Sequence, residues 1–459
     1  MMLEDIIAHY VSVFDADSLY GYRQIISIFS GIVLIWMCGI SFLILRANPK
    51  GFENRFMAVL LIFEALKATV LFWDFFPNGP KFEWLWDYLW WMKYDVYMFA
   101  IITSVMLYLS FPVYYKVNRF QSLYTEALQK RLWYVAPIIG LLIWTMIRGQ
   151  EGIEVANAAW IVCEGVNSPP VLQSWFGGIT ENMLQVKSDI GTCPSAFEVL
   201  VADEPPTLWL IGLTQAPASI FALILFRSAM LESKSVNGSD TLTNRSLYIG
   251  FLGKILISMV YAFLLVVIFP LLNGGEMLTF TDNLSLQFGA ERTNLERMTF
   301  FLWTSSLAIM PLAISFEALM FVHASLKDSV FGIDKKLRST FRTAVFTSIG
   351  VISFVIGSEI MESLIGYGIM GGVMVGIGVV VVRKPVISLI DGLSGRILPS
   401  EFSELENKYL EAYIKTVKDG IISDDERRLL VMLADSYSLQ DERVKYIETS
   451  YNSSIDQEE

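Results

Sequence analysis

The sequence predicts an all-α fold, a polytopic membrane helix bundle of about nine transmembrane helices followed by a small cytoplasmic helical C-terminal domain. Three observations predict it. Hydrophobic residues make up 54% of the 459-residue chain and charged residues only 17%, with a mean hydropathy of +0.50, more apolar surface than a soluble core can hide. The apolar residues gather in stretches that match the roughly 20 residues of helix needed to cross a hydrocarbon core. Lysines and arginines between these stretches fall almost entirely in every second loop, as cytoplasmic loops retain them.

The expected spans run from near Tyr22 to Leu45, Phe56 to Phe75, Trp86 to Tyr114, Leu132 to Ile147 and Thr207 to Phe226. Four more run from Leu247 to Leu272, Thr299 to Val322, Thr343 to Ser363 and Tyr367 to Val382. Polar residues within them have helical rather than alternating spacing, which favours a helix bundle over a barrel. Residues 1–21 read as an external segment, because Glu4 and Asp5 oppose the basic start of a signal peptide. The bundle then covers 22–384. Basic clusters follow the first, third, fifth, seventh and ninth spans, at Arg46 to Arg55, Lys116 to Arg131, Arg227 to Arg245, Lys327 to Arg342, and Arg383 with Lys384. This places the N-terminus outside and the C-terminus in the cytoplasm of a multi-pass cell-membrane protein. The net charge of −12 argues against nucleic acid as a partner; the lipid bilayer is the expected one.

Residues 149–206 form the longest external loop and hold Cys163 and Cys193, which an oxidising exterior would bridge, together with Trp160, Trp175 and Phe176. This is the composition of a small ordered cap. Trp84, Trp86, Trp90 and Trp91, at the start of the third span, read as an interfacial aromatic belt. Pro137, Pro217 and Pro311 interrupt the fourth, fifth and seventh spans. The ninth span carries Gly368, Gly372 and Gly376 at four-residue spacing, a pattern for close helix packing or for the seam of a homodimer.

Beyond a linker at 385–399, residues 400–459 become charged and amphipathic. Phe402, Leu405, Tyr409, Tyr413, Ile414 and Val417 have helical spacing, then Leu429, Met432, Leu433 and Tyr437, then Val444 and Ile447. Ser423 and Glu426 form a capping box for the second helix. The turn from Asp419 to Glu426 is similar to the closing half of an EF-hand loop, but Lys415 and Val417 stand where calcium needs oxygen ligands, so a metal-free hairpin for protein contact is expected.

Charges inside spans are the chemical signal, because each costs several kcal/mol unless paired or wet. Glu64 and Lys67 sit three residues apart on one face of the second span, Lys254 lies in the sixth and Glu317 in the seventh. All four fall between the inner interface and the midplane and balance in charge, so a buried ionic cluster is expected; snorkelling of Lys254 and an interfacial Glu317 form the alternative. His9 and His323 are too far apart for a metal pair, and phosphate-loop, nucleophile-elbow and zinc-protease motifs are absent. Neither catalysis nor a cofactor is expected.

The first two spans, with the connecting run Arg46, Ala47, Asn48, Pro49, Lys50, Gly51, Phe52, Glu53, Asn54 and Arg55, resemble the start of the multi-span N-terminal membrane sensor region of prokaryotic histidine kinases. The run Lys336 to Arg342 before the last two spans, and Arg383, Lys384, Pro385 and Ile387 to Gly392 after them, are similar to the segment that delivers a signal inward in that family. The resemblance implies a sensor-like or receptor-like protein. As no kinase domain follows, it also implies output through the C-terminal helices to a separate cytoplasmic partner. A transporter or channel using the charged groups as a path, and a structural subunit of a membrane complex, are the alternatives.

Overall fold

A computed structural model describes residues 2–13, 20–77, 79–148, 157–193, 196–202, 213–234, 240–275, 293–326, 404–417 and 422–437, with parts of 373–388 and 439–452. The chain divides into two compact units, 1–321 and 322–459. Among the described residues, six helical runs are long and apolar enough to cross a membrane: Gln24–Ala47, Phe52–Phe75, Pro80–Leu109, Glu126–Ile147, Thr243–Leu272 and Leu302–Leu326. They coincide with the expected first, second, third, fourth, sixth and seventh spans. The eighth span, much of the ninth with Gly368 and Gly372, and the linker beyond Ser388 lie outside the described residues, and the start of the fifth span does too.

In the first unit, α1 (Met2–Val13) precedes α2 (Tyr20–Ala47), which forms an antiparallel hairpin with α3 (Phe52–Ala68). The tight turn is self-supporting: Asn48 Oδ1 accepts from Gly51 N at 3.0 Å, Arg55 Nε donates to the Pro49 carbonyl at 2.8 Å, and Asn54 Nδ2 to the Ile44 carbonyl at 3.0 Å. The two helices are laced by small hydroxyls, with Ser41 Oγ donating to Ala58 O at 2.7 Å and Ser30 Oγ to Ala68 O. In an apolar surrounding such bonds replace lost hydration. Past Ala68 the helix tightens into a 3₁₀ run, Thr69–Phe75.

The third span is built from α4 (Glu83–Trp91), one π turn (Met92–Val96) and α5 (Tyr97–Leu109). A one-turn helix, Phe111–Tyr114, finishes it. The fourth span, α6 (Glu126–Ile147), carries Pro137 inside a continuous helix and packs closely on α5. A Cβ at Gly140 would meet Thr103 Oγ1 at 2.3 Å, so glycine is what permits this approach.

The loop expected to be external departs from the all-α expectation. It holds a three-stranded antiparallel sheet, order β2-β1-β3, from β1 (Ala158–Cys163), β2 (Val171–Phe176) and β3 (Phe197–Ala202), with α7 (Glu181–Ile190) between β2 and β3. The reason is legible in AAWIVC and FEVLVA, whose β-branched residues sit on two-sided burial. Ala159, Ile161, Val199 and Val201 face Met183, Val186 and Ile190 of α7. Ala158, Trp160 and Ala202 face the opposite way, into Phe82, Trp86, Leu89, Trp90 and Tyr94 of the third span. Thr180 caps α7, and Gly191 at φ 61° releases the chain toward Cys193. The Cys163 and Cys193 sulfurs are bonded at 2.04 Å.

Helices α8 (Gln215–Lys234) and α9 (Asp240–Phe263) pack as a pair; α9 continues through a π turn, Leu264–Ile268, to Leu272. Pro217 lies in the first turn of α8, where its missing N–H costs little. The seventh span is broken at Leu307 and Ala308 into α10 (Asn294–Ser306) and α11 (Ile309–Leu326), so Pro311 also falls in a first turn.

In the second unit, α12 (Glu404–Val417) and α13 (Asp424–Ser436) form an amphipathic pair around Tyr409, Leu410, Tyr413, Leu430, Ala434 and Ile447. The expected capping box is present: Glu426 N donates to Ser423 Oγ, and Ser423 N donates to Glu426 Oε2 at 2.9 Å. The inward face of α13 differs from expectation. Leu429 and Met432 point outward, because Leu430 and Ala434 take the core positions against the bulky Tyr409 and Tyr413.

Candidate functional site: a sealed charge cluster

The four charged residues singled out from the sequence meet in the first unit. Lys67 Nζ lies 2.5 Å from Glu64 Oε1, Lys254 Nζ lies 2.9 Å from Glu64 Oε2, and Lys254 Nζ lies 2.6 Å from Glu317 Oε2. None is more than 7% exposed. Two carboxylates and two ammonium groups cancel in charge, and each ion replaces the hydration its partner has lost.

A fifth member joins them. The Tyr108 hydroxyl, at the C-terminal end of α5, is 2.6 Å from Glu64 Oε1 and 2.9 Å from Glu317 Oε2, and it accepts from Lys254 Nζ. Its single proton serves one carboxylate at a time. Lys254 and Lys67 also lie 4.8 and 5.5 Å from the Tyr108 ring centroid, adding cation–π attraction. The cluster thus ties α3, α5, α9 and α11 together. A tyrosine deep in an apolar span was the available signal for this residue, and charge counting passes over it.

Glycines set the helix separation. A Cβ at Gly253 would lie 2.0 Å from Phe316 Cε1, and one at Gly250 would lie 3.1 Å from Met320 Cβ. The residues next to the closer contact are Lys254 and Glu317, so the absence of a side chain at Gly253 lets the ion pair close.

Below the cluster lies an aromatic layer. Phe111 is fully buried and contacts Phe56, Tyr108, Tyr115, Phe226, Phe251 and Phe321, with ring centroids 5.0–6.3 Å apart. These rings shut out water on that side and deepen the dependence of each ion on its partners.

Nearer the cap is a second charged group that counting charges in the sequence had left aside. Lys93 Nζ lies 2.7 Å from Asp74 Oδ1, and Arg148 grips Asp95 through Nε at 2.8 Å and Nη2 at 3.1 Å, with Trp144 Nε1 donating to Asp95 Oδ1 at 3.2 Å. Lys93 and Asp95 both come from the π turn. The wide turn lets side chains two residues apart reach opposite neighbours, the second span and the fourth.

The expected aromatic belt is partly redirected. Trp84 is 52% exposed, as a belt residue is, whereas Trp86 and Trp90 turn inward; Trp86 Nε1 donates to Pro77 O at 2.8 Å. Among the described residues, no group of three or more His, Cys, Asp or Glu is placed to hold a metal ion.

Long apolar helices that bury their ions against one another define the class: an α-helical architecture of the kind that crosses membranes. Compared with family models, with characterised proteins and with solved structures, the chain matches none.

Proposed function

We propose that the protein is a receptor-like transducer of the cell membrane, in which the outer cap acts through the third span on the charge cluster. One observation carries this reading. A single helical run, Pro80–Leu109, holds the cap at one end through Trp86 and Trp90 and presents Tyr108 to Glu64 and Glu317 at the other. A displacement of the cap reaches the hydroxyl through one rigid element, and the hydroxyl has two carboxylates between which to choose. In this reading the cap is external, the basic loops are cytoplasmic, and the C-terminal helix pair meets a cytoplasmic protein partner. The resemblance of the basic loops to those of histidine-kinase sensor regions is in keeping with it.

Spin labels at the exposed Leu109 and Met259, in a Cys38→Ser background in nanodiscs, test the coupling. Freeing the cap by Cys163→Ser with Cys193→Ser should shift the label-to-label distance distribution, and adding Tyr108→Phe should abolish that shift. An unchanged distribution in the freed cap would overturn the reading. Ion-coupled transport is a second reading, favoured by the sharing of Lys254 and Tyr108 between two carboxylates. It requires proton flux into reconstituted vesicles that Glu317→Gln abolishes.

A further inference from the structure

We infer that the aromatic junction between the cap and the third span is a ligand site for a flat, apolar ring bearing carbonyl oxygens, a quinone-type headgroup, and that Trp175 occupies the ligand's place in the unliganded protein. The inference rests on the receptor reading for its purpose but on separate observations for the site.

Trp160 and Trp90 are 2% and 5% exposed, yet the indole N–H of each has no hydrogen-bond partner among the described residues. The half-buried Trp73, packed on the same cluster, is in the same condition. Their neighbour Trp86 does bond a carbonyl, so the junction is able to satisfy an indole where the fold requires it. Buried donors are nearly always paired, and several unmet in one cluster mark a place where an acceptor belongs.

The two most buried of these rings are the two that Trp175 touches. Its centroid lies 5.3 Å from Trp90 and 5.8 Å from Trp160. Trp175 comes from β2, an outer strand of the sheet whose side chains are mostly exposed, and its pairing to β1 shifts register at Ala158 and Ala159. At that irregularity Trp175 is the residue with no partner on β1. A molecule that replaces it must be flat and apolar to lie between indoles, and must carry acceptors in order to satisfy Trp90 and Trp160. Trp84 and Tyr88, 52% and 71% exposed on the other side of α4, form the flank from which an apolar molecule would arrive along the membrane interface.

The test uses the full chain in lipid nanodiscs and decyl-benzoquinone as probe, titrated calorimetrically against empty discs, with decylbenzene as a ligand of similar shape that lacks oxygens. The wild-type chain should bind the quinone and not decylbenzene. Trp90→Phe and Trp160→Phe, which keep a ring and remove the N–H, should each weaken binding about five- to tenfold, the size expected of one hydrogen bond. Trp175→Ala should tighten it about tenfold, and Trp175→Phe should do so by less, which guards against a misfolded alanine variant. Absence of quinone binding, equal binding of decylbenzene, unaltered affinity in both Trp90→Phe and Trp160→Phe, or weaker binding in both Trp175 variants would each overturn the site. Binding that leaves the Leu109–Met259 distances unmoved would keep the site and refute the receptor reading. A cap-dependent distance shift without quinone binding would do the reverse.

Discussion

The two charged groups of the bundle solve the same problem by opposite means. Around the π turn the ions form separate pairs between neighbouring spans: Lys93 and Asp74 are buried together, while in the other pair one partner reaches water, the Arg148 side chain being 53% exposed and Asp95 6%. In the inner cluster no member reaches water, no ion has a private partner, and the four contributing helices come from distant parts of the chain. Pairs with a wet end are replaceable one at a time. A sealed network fails as a whole, because deleting one member strands the others in a medium that cannot solvate them.

That contrast orders the expected losses. Lys254→Met leaves two carboxylates with one ammonium and should cost about 3–5 kcal/mol, read as a lowered unfolding temperature in detergent; adding Glu317→Gln should recover part of it. A loss no larger than that of an exposed pair would erase the distinction. Tyr108→Phe keeps the ring and removes the shared donor, and should cost about 1.5–3 kcal/mol, the range for hydrogen bonds to charged groups. Gly253→Ala sharpens the same point from the backbone side. The new methyl must displace the Phe316 ring, for about 1–3 kcal/mol of overpacking, and the double variant with Lys254→Met should lose less than the two separately. Arg148→Ala, at the wet pair, should cost about 1 kcal/mol or less, since water and Trp144 remain to serve Asp95.

The smallest effect concerns His9 on α1, outside the spans, where burial lowers the imidazole pKa from 6.5 to about 4. The folded state thus holds fewer protons than the unfolded state between these values. Docking of α1 should be complete above pH 6.5 and weaken progressively as pH falls toward 4. Protection of the α1 amides, relative to their intrinsic exchange at each pH, should fall across that window and stay constant in His9→Phe.

Much of this was open to reading in the sequence. Apolar length located the described spans, because hydrocarbon thickness sets it directly, and the balanced depth of Glu64, Lys67, Lys254 and Glu317 was visible as a ledger of charge. Tyr108 was not, since an uncharged hydroxyl in an apolar run leaves no mark in such a ledger. Gly253 was hidden for a different reason: its role depends on Phe316, 63 residues away in the chain, and no local pattern records that contact. The sheet of the cap was obscured because β1 and β3 are short and, largely buried, lack alternation, while β2 is mostly exposed. Asp74, Lys93 and Asp95 had the same sequence signal as the other four, but Asp74 lies at the end of its span, where it reads equally well as ordinary interface charge, and Lys93 and Asp95, inside the third span, were left out of the count.

The π turn at Met92–Val96 has one more consequence. Such a turn accommodates one residue more than an α-helical turn, so the two halves of the third span are out of phase by about 100° relative to an unbroken helix. In an unbroken helix Trp90 and Tyr108, five full turns apart, would share one face; the offset turns Tyr108 about 100° from that direction, to Glu64 and Glu317, while Trp86 and Trp90 face the cap. Removing a single residue here, while shortening the span by only about 1.5 Å, would swing Tyr108 by about 100° around the helix axis, away from Glu64 and Glu317. The third span is therefore a crankshaft with a fixed throw, set by one residue.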